Sequence, residues 1–399
     1  MYQTKIKITF QSWFTFRKTL FIGLFLLSSP PLLRGDSSSP SPSLTAPSYH
    51  PDKNQTEVKK KEKLIFAIDV IRHGDRNPLI DIPKAPHHWA EGLGQLTPLG
   101  MRQEYELGKK FHHRYIDREK LLPRFYQPET LYVRSSDIDR TLMSAQSVLM
   151  GLYPPGSGPL IGTSFFTKRP ALPNRFQPVP IHTVPKKQDS LLIPDNKVTC
   201  NFYKLVKTIV ASSPAWKQKE AEIKPHFAAW SKATGIQVTD ELQFILLGDT
   251  LLIDQLKHIP LPQGLTHDDV TTILKANAWR CAAVFKNRTI GQASGGRLLH
   301  EIAHYLKKAS QQKTSLKYVL YSAHDATILS LMSAMKAPLT VSPPYASDLN
   351  ISLYLQGNDH YEVKVTMNDQ PVQLPCSRYT TCSLEEFMAL AQLFGQQAE

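Results

Sequence analysis

Cysteine is scarce in this chain: there are four among 399 residues, none before Cys200, and no C-x-x-C pair. That excludes a lipid-modified N-terminal cysteine and leaves thiolate metal centres no ligand spacing to build on. There is no internal repeat, and no uninterrupted apolar run reaches the roughly 20 residues of a membrane-spanning helix. With 41% hydrophobic and 20% charged residues, the chain is neither a multi-span membrane protein, nor collagen, nor wholly disordered. Acidic residues are also few, 34 against 47 Lys and Arg, for a net charge of +13 that invites nucleic acid as a partner. The distribution argues otherwise. Residues 1–63 hold ten basic and four acidic residues, and the remaining 336 carry only +7, so the balance is that of a mildly basic globular protein with no nucleic-acid partner.

What is present begins with an address. Lys5, Lys7, Arg17 and Lys18 precede the apolar run LFIGLFLL, so residues 1–33 are expected to be a removable signal peptide. An uncleaved anchor fits less well, because Ser28, Ser29, Pro30 and Pro31 interrupt the stretch. Residues 34–63, Ser/Pro-rich and then basic, are expected to be a solvated linker. The protein is therefore expected to be exported: secreted, periplasmic or lysosomal according to host. Export permits disulfides, and four cysteines allow three pairings. Cys376 and Cys382 flank a short polar loop and are expected to pair, which leaves Cys200 with Cys281. The adjacent histidines His87-His88 and His112-His113 point in different directions on any regular element, so they are expected at the surface or behind the site. No metal and no cofactor is expected.

From Leu64 the chain turns apolar, LIFAIDVI, and ends in Arg72-His73-Gly74-Asp75-Arg76-Asn77-Pro78. Such a run reads as a buried central strand of an α/β sheet, whose carboxyl end is where ligands bind. Thr97-Pro98 opens a helix, with Met101, Tyr105, Gly108 and Tyr115 on one face. A second strand, LYVR, leads through Ser135-Ser136-Asp137 into a helix carrying Arg140. A third, KYVLYS, ends at Ala323-His324-Asp325 before another apolar helix. The Pro-rich and helical stretch 165–286 is expected to be an α-helical cap inserted between residues 64–164 and 287–399. Asp348–Leu355 and Tyr361–Met367 read as a hairpin, and Ser383 with Glu386 as a capping box. The expected fold class is α/β, a mainly parallel sheet flanked by helices, with an inserted helical cap.

Three strand ends thus deliver Arg72, His73 and Arg76; Arg140; and His324 and Asp325. Three convergent arginines can hold a phosphate dianion through charge-assisted, partly bidentate hydrogen bonds. A histidine inside that positive cluster stays neutral at acid pH, so His73 is available to attack phosphorus. His324 is a further phosphate-binding candidate. Asp325 beside it is the natural proton donor, and the arginines can take the place of magnesium in phosphoryl transfer.

RHGDRNP, DIDRT and AHDAT, each after a strand, together with LTPLGMRQEYELG, LYVRSSDIDRTLMSAQ, GGRLLHEI and PPYAS, resemble the histidine acid phosphatases of the histidine phosphatase superfamily, in the prostatic and lysosomal acid phosphatase-like group. The resemblance runs from Leu64 to the C-terminus. It implies a phosphohistidine mechanism with His73 as nucleophile, with Arg72, Arg76, Arg140 and His324 on the phosphate, and with Asp325 protonating the leaving alcohol. It also implies small phosphomonoester substrates, phosphotyrosine and phospholipid head groups among them, and a homodimer. One departure is Asp348, which follows PPYAS where relatives can carry a cysteine of a third disulfide.

Three other readings share these residues. A phytase-like inositol polyphosphate phosphatase would want a basic cap, to which Lys186, Lys187, Lys204 and Lys207 could contribute. A non-catalytic phosphate-binding relative would lack the nucleophile or the acid, and both are present. A phosphoglycerate mutase-type transferase is at odds with the export address and the His-Asp pair.

Overall fold

Residues 62–162, 167–194, 202–339, 342–357 and 360–392 are described in a computed structural model. The expected signal peptide, almost all of the linker, and Cys200 lie outside the described residues.

Strand β1 (Lys63–Arg72) is buried without a break from Phe66 to Ile71. Phe66, Ile68 and Val70 enter one hydrophobic layer and Ala67 and Ile71 the other. A strand covered on both faces has no polar side to show, which is why it reads as a continuous apolar run. Helix α1 (Pro98–Phe111) follows with the expected cap, the Thr97 hydroxyl accepting from the Gly100 N–H. Then come β2 (Leu131–Ser135) and α2 (Asp139–Leu152). A two-residue ladder of β3 (Leu160–Ile161) with β4 (Arg169–Pro170) leads into the helical stretch. That stretch comprises α3 (Phe202–Leu205), α4 (Pro214–Ile223), α5 (Phe227–Thr234), α6 (Glu241–Leu256) and α7 (His267–Phe285). Long helix α8 (Arg288–Ser310), β5 (Tyr318–Ala323) and α9 (Asp325–Ala334) return the chain to the sheet. Last come β6 (Asp348–Leu355), β7 (Tyr361–Met367), β8 (Gln370–Pro371), β9 (Thr381–Ser383) and α10 (Leu384–Gln392).

Among the described residues seven of these strands make one sheet in the order β2-β5-β1-β6-β7-β8, with β9 also on β7, and β3 and β4 pair apart from it. β2, β5 and β1 run parallel, and the expected β6/β7 hairpin extends the sheet in antiparallel fashion. Helices α8, α9 and α10 cover one face and α1 and α2 the other. α1 and α2 approach through a glycine pair: a Cβ on Gly108 would stand 2.0 Å from the Val148 carbonyl oxygen, and one on Gly151 2.3 Å from that of Tyr105. The buried stripe of α1 includes the expected Gly108, with Tyr115 buried just beyond the helix, but otherwise differs from the expected one. Glu104, Leu107 and Phe111 point inward, whereas Met101 and Tyr105 are only half-buried.

Helices α5, α6 and α7 enclose a separate core of Trp230, Phe244, Leu247, Leu251 and Ile273, into which the loop after β1 inserts Ile82. The Ser383/Glu386 capping box starts α10, and Cys376 and Cys382 are joined in a disulfide just before it. Cys281 carries a free, half-buried thiol, which burial pushes up to about 12; its expected partner Cys200 is not among the described residues. Of the Asn-x-Ser/Thr sequences Asn287-Arg288-Thr289 and Asn350-Ile351-Ser352, Asn350 is fully buried in β6 and donates to Asp69, so a glycan has no access there. Asn287 instead caps α8 by accepting from the Ile290 N–H.

Candidate active site

Parallel register decides where the polar strand ends go. Arg72 of β1 pairs with Ala323 of β5, and Ser135 of β2 pairs with Ser322 of β5, so three strands stop on nearly the same rung. The loops leaving them are stitched to the central strand: the His73 N–H donates to Ala323 O at 3.1 Å and the Ser136 N–H to Ser322 O at 3.1 Å. Three segments distant in sequence are thus fixed around one point at the carboxyl edge of the sheet.

His73 is 2% exposed, and its Nδ1 lies 2.9 Å from the Gly74 carbonyl oxygen. A carbonyl only accepts, so Nδ1 carries the proton and Nε2 keeps its lone pair. Burial first, then the charges of Arg140, His324, Arg72 and Arg76, hold the imidazole well below its ordinary value. The loop can take this path only because two glycines meet: a Cβ on Gly74 would sit 2.4 Å from Gly100 O, and one on Gly100 2.2 Å from Asp75 O.

The arginines surround this ring. Arg72 donates from Nη1 to Pro343 O at 2.5 Å, reaches Asp325 Oδ2 with Nη2 at 3.1 Å, and stacks its guanidinium carbon 4.3 Å from the centre of the Tyr345 ring. Arg76 grips Asp249 of α6 with both Nη atoms, and that carboxylate pushes its pKa up against the opposing effect of burial. Arg140 makes one long bond, 3.4 Å to Gly94 O, and burial together with Arg76 lowers it to about 10, which still leaves it charged in acid. In all three arginines the Nε–H is buried with no acceptor. Three unanswered cationic donors around one histidine make a site for an oxyanion.

His324 lies edge-on to His73, ring centres 5.6 Å apart, with Nε2 2.9 Å from Ser136 Oγ. Burial, then Arg140, lowers its pKa well below the ordinary value, against the pull of Asp325. Asp325 opens α9, accepting from the Ala326 N–H at 2.7 Å. Its carboxyl is held below the usual range by Arg72 and Arg76, which outweigh the effect of desolvation. The Arg72 and Arg76 charges thus work against the expected protonated form of Asp325.

All six residues singled out from sequence meet in this cluster. Asp249, Lys257 and Tyr345 were missed as site residues. Lys257, at the end of α6, donates to Asp75 Oδ2 at 2.8 Å, so two ion pairs tie α6 to the loop of His73. Nothing local in the sequence marks Asp249 or Lys257, since both partners lie more than 170 positions away. Tyr345 sits in the PPYAS segment, so its signal was on view. The helix segment His300-Glu301-Ile302-Ala303-His304 has the H-E-x-x-H spacing of a metal site and was passed over in sequence. On α8 its two histidines are exposed, and Glu301 takes the Tyr321 hydroxyl at 2.5 Å. Among the described residues no group of three His, Cys, Asp or Glu is placed to hold a metal. Lys186, Lys187, Lys204 and Lys207 are exposed.

The chain matches the family model described as the histidine phosphatase superfamily (branch 2) over residues 63–368. It is 33% identical over 346 residues to the prostatic acid phosphatase of Bos taurus, covering 84% of this chain and 85% of that one. It is 30% identical over 349 residues to the lysosomal acid phosphatase of Xenopus laevis, covering 84% and 77%. Among solved structures, the phytase of Citrobacter braakii superposes with a TM-score of 0.61 at 16% identity, covering 83% of this chain and 98% of that one. The phytase of Hafnia alvei in complex with myo-inositol hexakis sulphate gives 0.59 at 18% identity, covering 84% and 97%.

Proposed function

The chain belongs to the histidine phosphatase superfamily, branch 2, and from that premise we propose that it is a histidine acid phosphatase that hydrolyses phosphomonoesters through a phosphohistidine. The observation that carries this reading is the set of three buried, acceptor-less guanidinium Nε–H groups around a neutral His73. The curated relatives are acid phosphatases matched over most of their length. The likeness to phytases is a likeness of fold.

In the proposed reaction Arg72, Arg76, Arg140 and His324 hold the phosphate oxygens. His73 Nε2 attacks phosphorus in line, the P–O bond to the alcohol breaks, and Asp325 gives its proton to the departing oxygen. The dianion supplies the condition for that proton, because its charge offsets Arg72 and Arg76, the cations that lower the Asp325 carboxyl. Water then attacks the phosphohistidine, giving its proton to Asp325 and releasing phosphate and His73. We read residues 165–286 as the cap over this pocket and residues 1–33 as a removable export signal. Among the described residues no helix is long and apolar enough to cross a membrane.

The test is phosphate release from phenyl phosphate near pH 5 with chelator present, for the exported form and for His73→Ala. Release that persists in chelator and disappears in the variant supports the reading. Undiminished release from His73→Ala would remove the nucleophile from its role.

A further inference from the structure

On the reading that the chain is a phosphomonoesterase, we propose that Tyr345 is a positioning residue for the phosphate site: its aromatic face holds Arg72 toward the anion without consuming the donors that the anion needs. An aromatic face attracts a cation through its quadrupole and adds no negative charge, whereas a carboxylate takes N–H groups and neutralises. The two arginines of the His73 loop show both arrangements. Asp249 occupies both Nη atoms of Arg76. On Arg72 the Tyr345 ring centre lies 4.3 Å from the guanidinium carbon, and the Nε–H stays without an acceptor. The ring also opposes a competitor, because the ion pair with Asp325 at 3.1 Å draws Arg72 aside from the anion.

The segment that carries the ring is bonded to the very residues it flanks. Pro343 O accepts from Arg72 Nη1, Ser347 O accepts from the Arg72 N–H at 2.9 Å, and the Ala346 N–H donates to His73 O at 3.2 Å. Between them Ala346 has φ +54°, a left-handed conformation that costs an alanine free energy. Such strain persists where the surroundings over-determine the backbone, and it gathers at functional sites. Asn368 secures the far side, giving Nδ2 to Ser347 Oγ at 3.2 Å and accepting from the Asp348 N–H at 2.9 Å. The outcome of this turn is a ring seated over Arg72 with its centre 5.8 Å from that of the His73 ring. Nucleophile and guanidinium are thus registered against one another by a single short loop.

The experiment measures the Kd of inorganic phosphate by equilibrium dialysis near pH 5, alongside turnover of phenyl phosphate. It compares the parent with Tyr345→Phe, with Tyr345→Leu, and with pentafluorophenylalanine installed at position 345. Phenylalanine keeps the aromatic face, so its Kd should stay within about twofold of the parent. Leucine has no such face, and pentafluorophenylalanine keeps the shape of the ring but reverses its quadrupole. In both, Kd should rise on the order of tenfold, the size of a desolvated cation–π contact. A merely structural role would lower the number of binding-competent molecules and leave their Kd unchanged. The fluorinated ring decides the matter if Tyr345→Leu does not fold. A Kd unmoved by fluorination overturns the proposal, as does a Tyr345→Phe that binds as weakly as Tyr345→Leu, which would give the role to the hydroxyl. A parent that binds phosphate but releases none from phenyl phosphate overturns the phosphatase reading instead, and the same Kd values still judge Tyr345. A parent that binds no phosphate overturns both.

Discussion

Arg76 and Asp249 meet through two parallel hydrogen bonds, Nη1 to Oδ2 at 3.0 Å and Nη2 to Oδ1 at 2.9 Å, across 173 positions of sequence. Of the three arginines of the proposed phosphate site, Arg76 is thus partly neutralised by Asp249, as Arg72 is by Asp325. Asp249 belongs to α6, so the helical stretch contributes a charge to the site as well as a wall. The fork geometry also fixes the Arg76 guanidinium, which lowers the entropy lost when an anion binds.

If the charge matters more than the positioning, Asp249→Asn should bind anions more tightly, because Asn keeps a hydrogen bond to Arg76 and removes the competing carboxylate. A partly exposed pair of this kind corresponds to ~1 kcal/mol, so the inhibition constant for inorganic phosphate should fall on the order of fivefold. Competitive inhibition by phosphate against phenyl phosphate measures it. A weaker-binding variant would mean that Asp249 acts chiefly by holding Arg76 in place.

Asp325→Asn separates the two halves of the proposed reaction. An aryl oxide leaves without a proton, so phosphorylation of His73 by phenyl phosphate should be nearly retained. An alkoxide cannot leave so readily, and single-turnover phosphorylation by ethyl phosphate should drop by roughly a hundredfold or more. Rapid-quench trapping of the phosphoprotein reads both. Equal losses on the two esters would assign the proton to another group.

The low pKa of His73 fixes the acid side of the pH profile. A histidine with its ordinary value near 6.5 would be mostly protonated and inert at pH 5. Burial and the Arg140 charge keep this one neutral, so kcat/KM should hold as pH falls from about 7 to about 5. Arg140 is the largest charge acting on His73, and Arg140→Gln should move the acid limb upward as well as weaken phosphate binding. The readout is the position of the limb, not the height of the curve. A limb unmoved in Arg140→Gln would leave the shift to burial and the charges of His324, Arg72 and Arg76.

Much of this was legible in sequence because the decisive features are local. An apolar strand followed by a polar loop declares itself three times, at Arg72-His73, at Arg140 and at His324-Asp325, and the parallel register brings those ends to one edge. The hairpin, the Thr97 cap and the Ser383/Glu386 box are likewise set by residues a few positions apart. What escaped depends on packing between segments far apart. Asp249 and Lys257 acquire their partners only when α6 lies along the loop. The inward face of α1 was misjudged because Glu104, by residue type an outward residue, is turned into the interior.

Glu104 yields the prediction that reaches furthest from the chemistry. It is fully buried in α1, neither carboxyl oxygen has a hydrogen-bond partner, and burial raises its pKa well above the ordinary value. Ser144, whose hydroxyl works weakly against that rise, accepts from the Gly74 N–H at 3.2 Å, so the carboxyl lies just behind the loop of His73. In the folded protein Glu104 keeps its proton, whereas the unfolded chain releases it at an ordinary value of about 4.3. Between those two values the folded state binds more protons than the unfolded one, so stability falls as pH rises. The contribution is complete below about pH 4 and is lost as pH climbs toward the raised folded value, by ~1.4 kcal/mol per unit. Asp348, raised by burial and by Asp69, acts in the same direction. Glu104→Gln keeps the shape and removes the ionisation. Denaturant unfolding should find it close to the parent at about pH 4 and more stable than the parent at about pH 7, with a shallower slope that Asp348→Asn flattens further. An equal loss of stability at both pH values would mean that the buried carboxyl contributes through its shape and contacts, with no ionisation in this range.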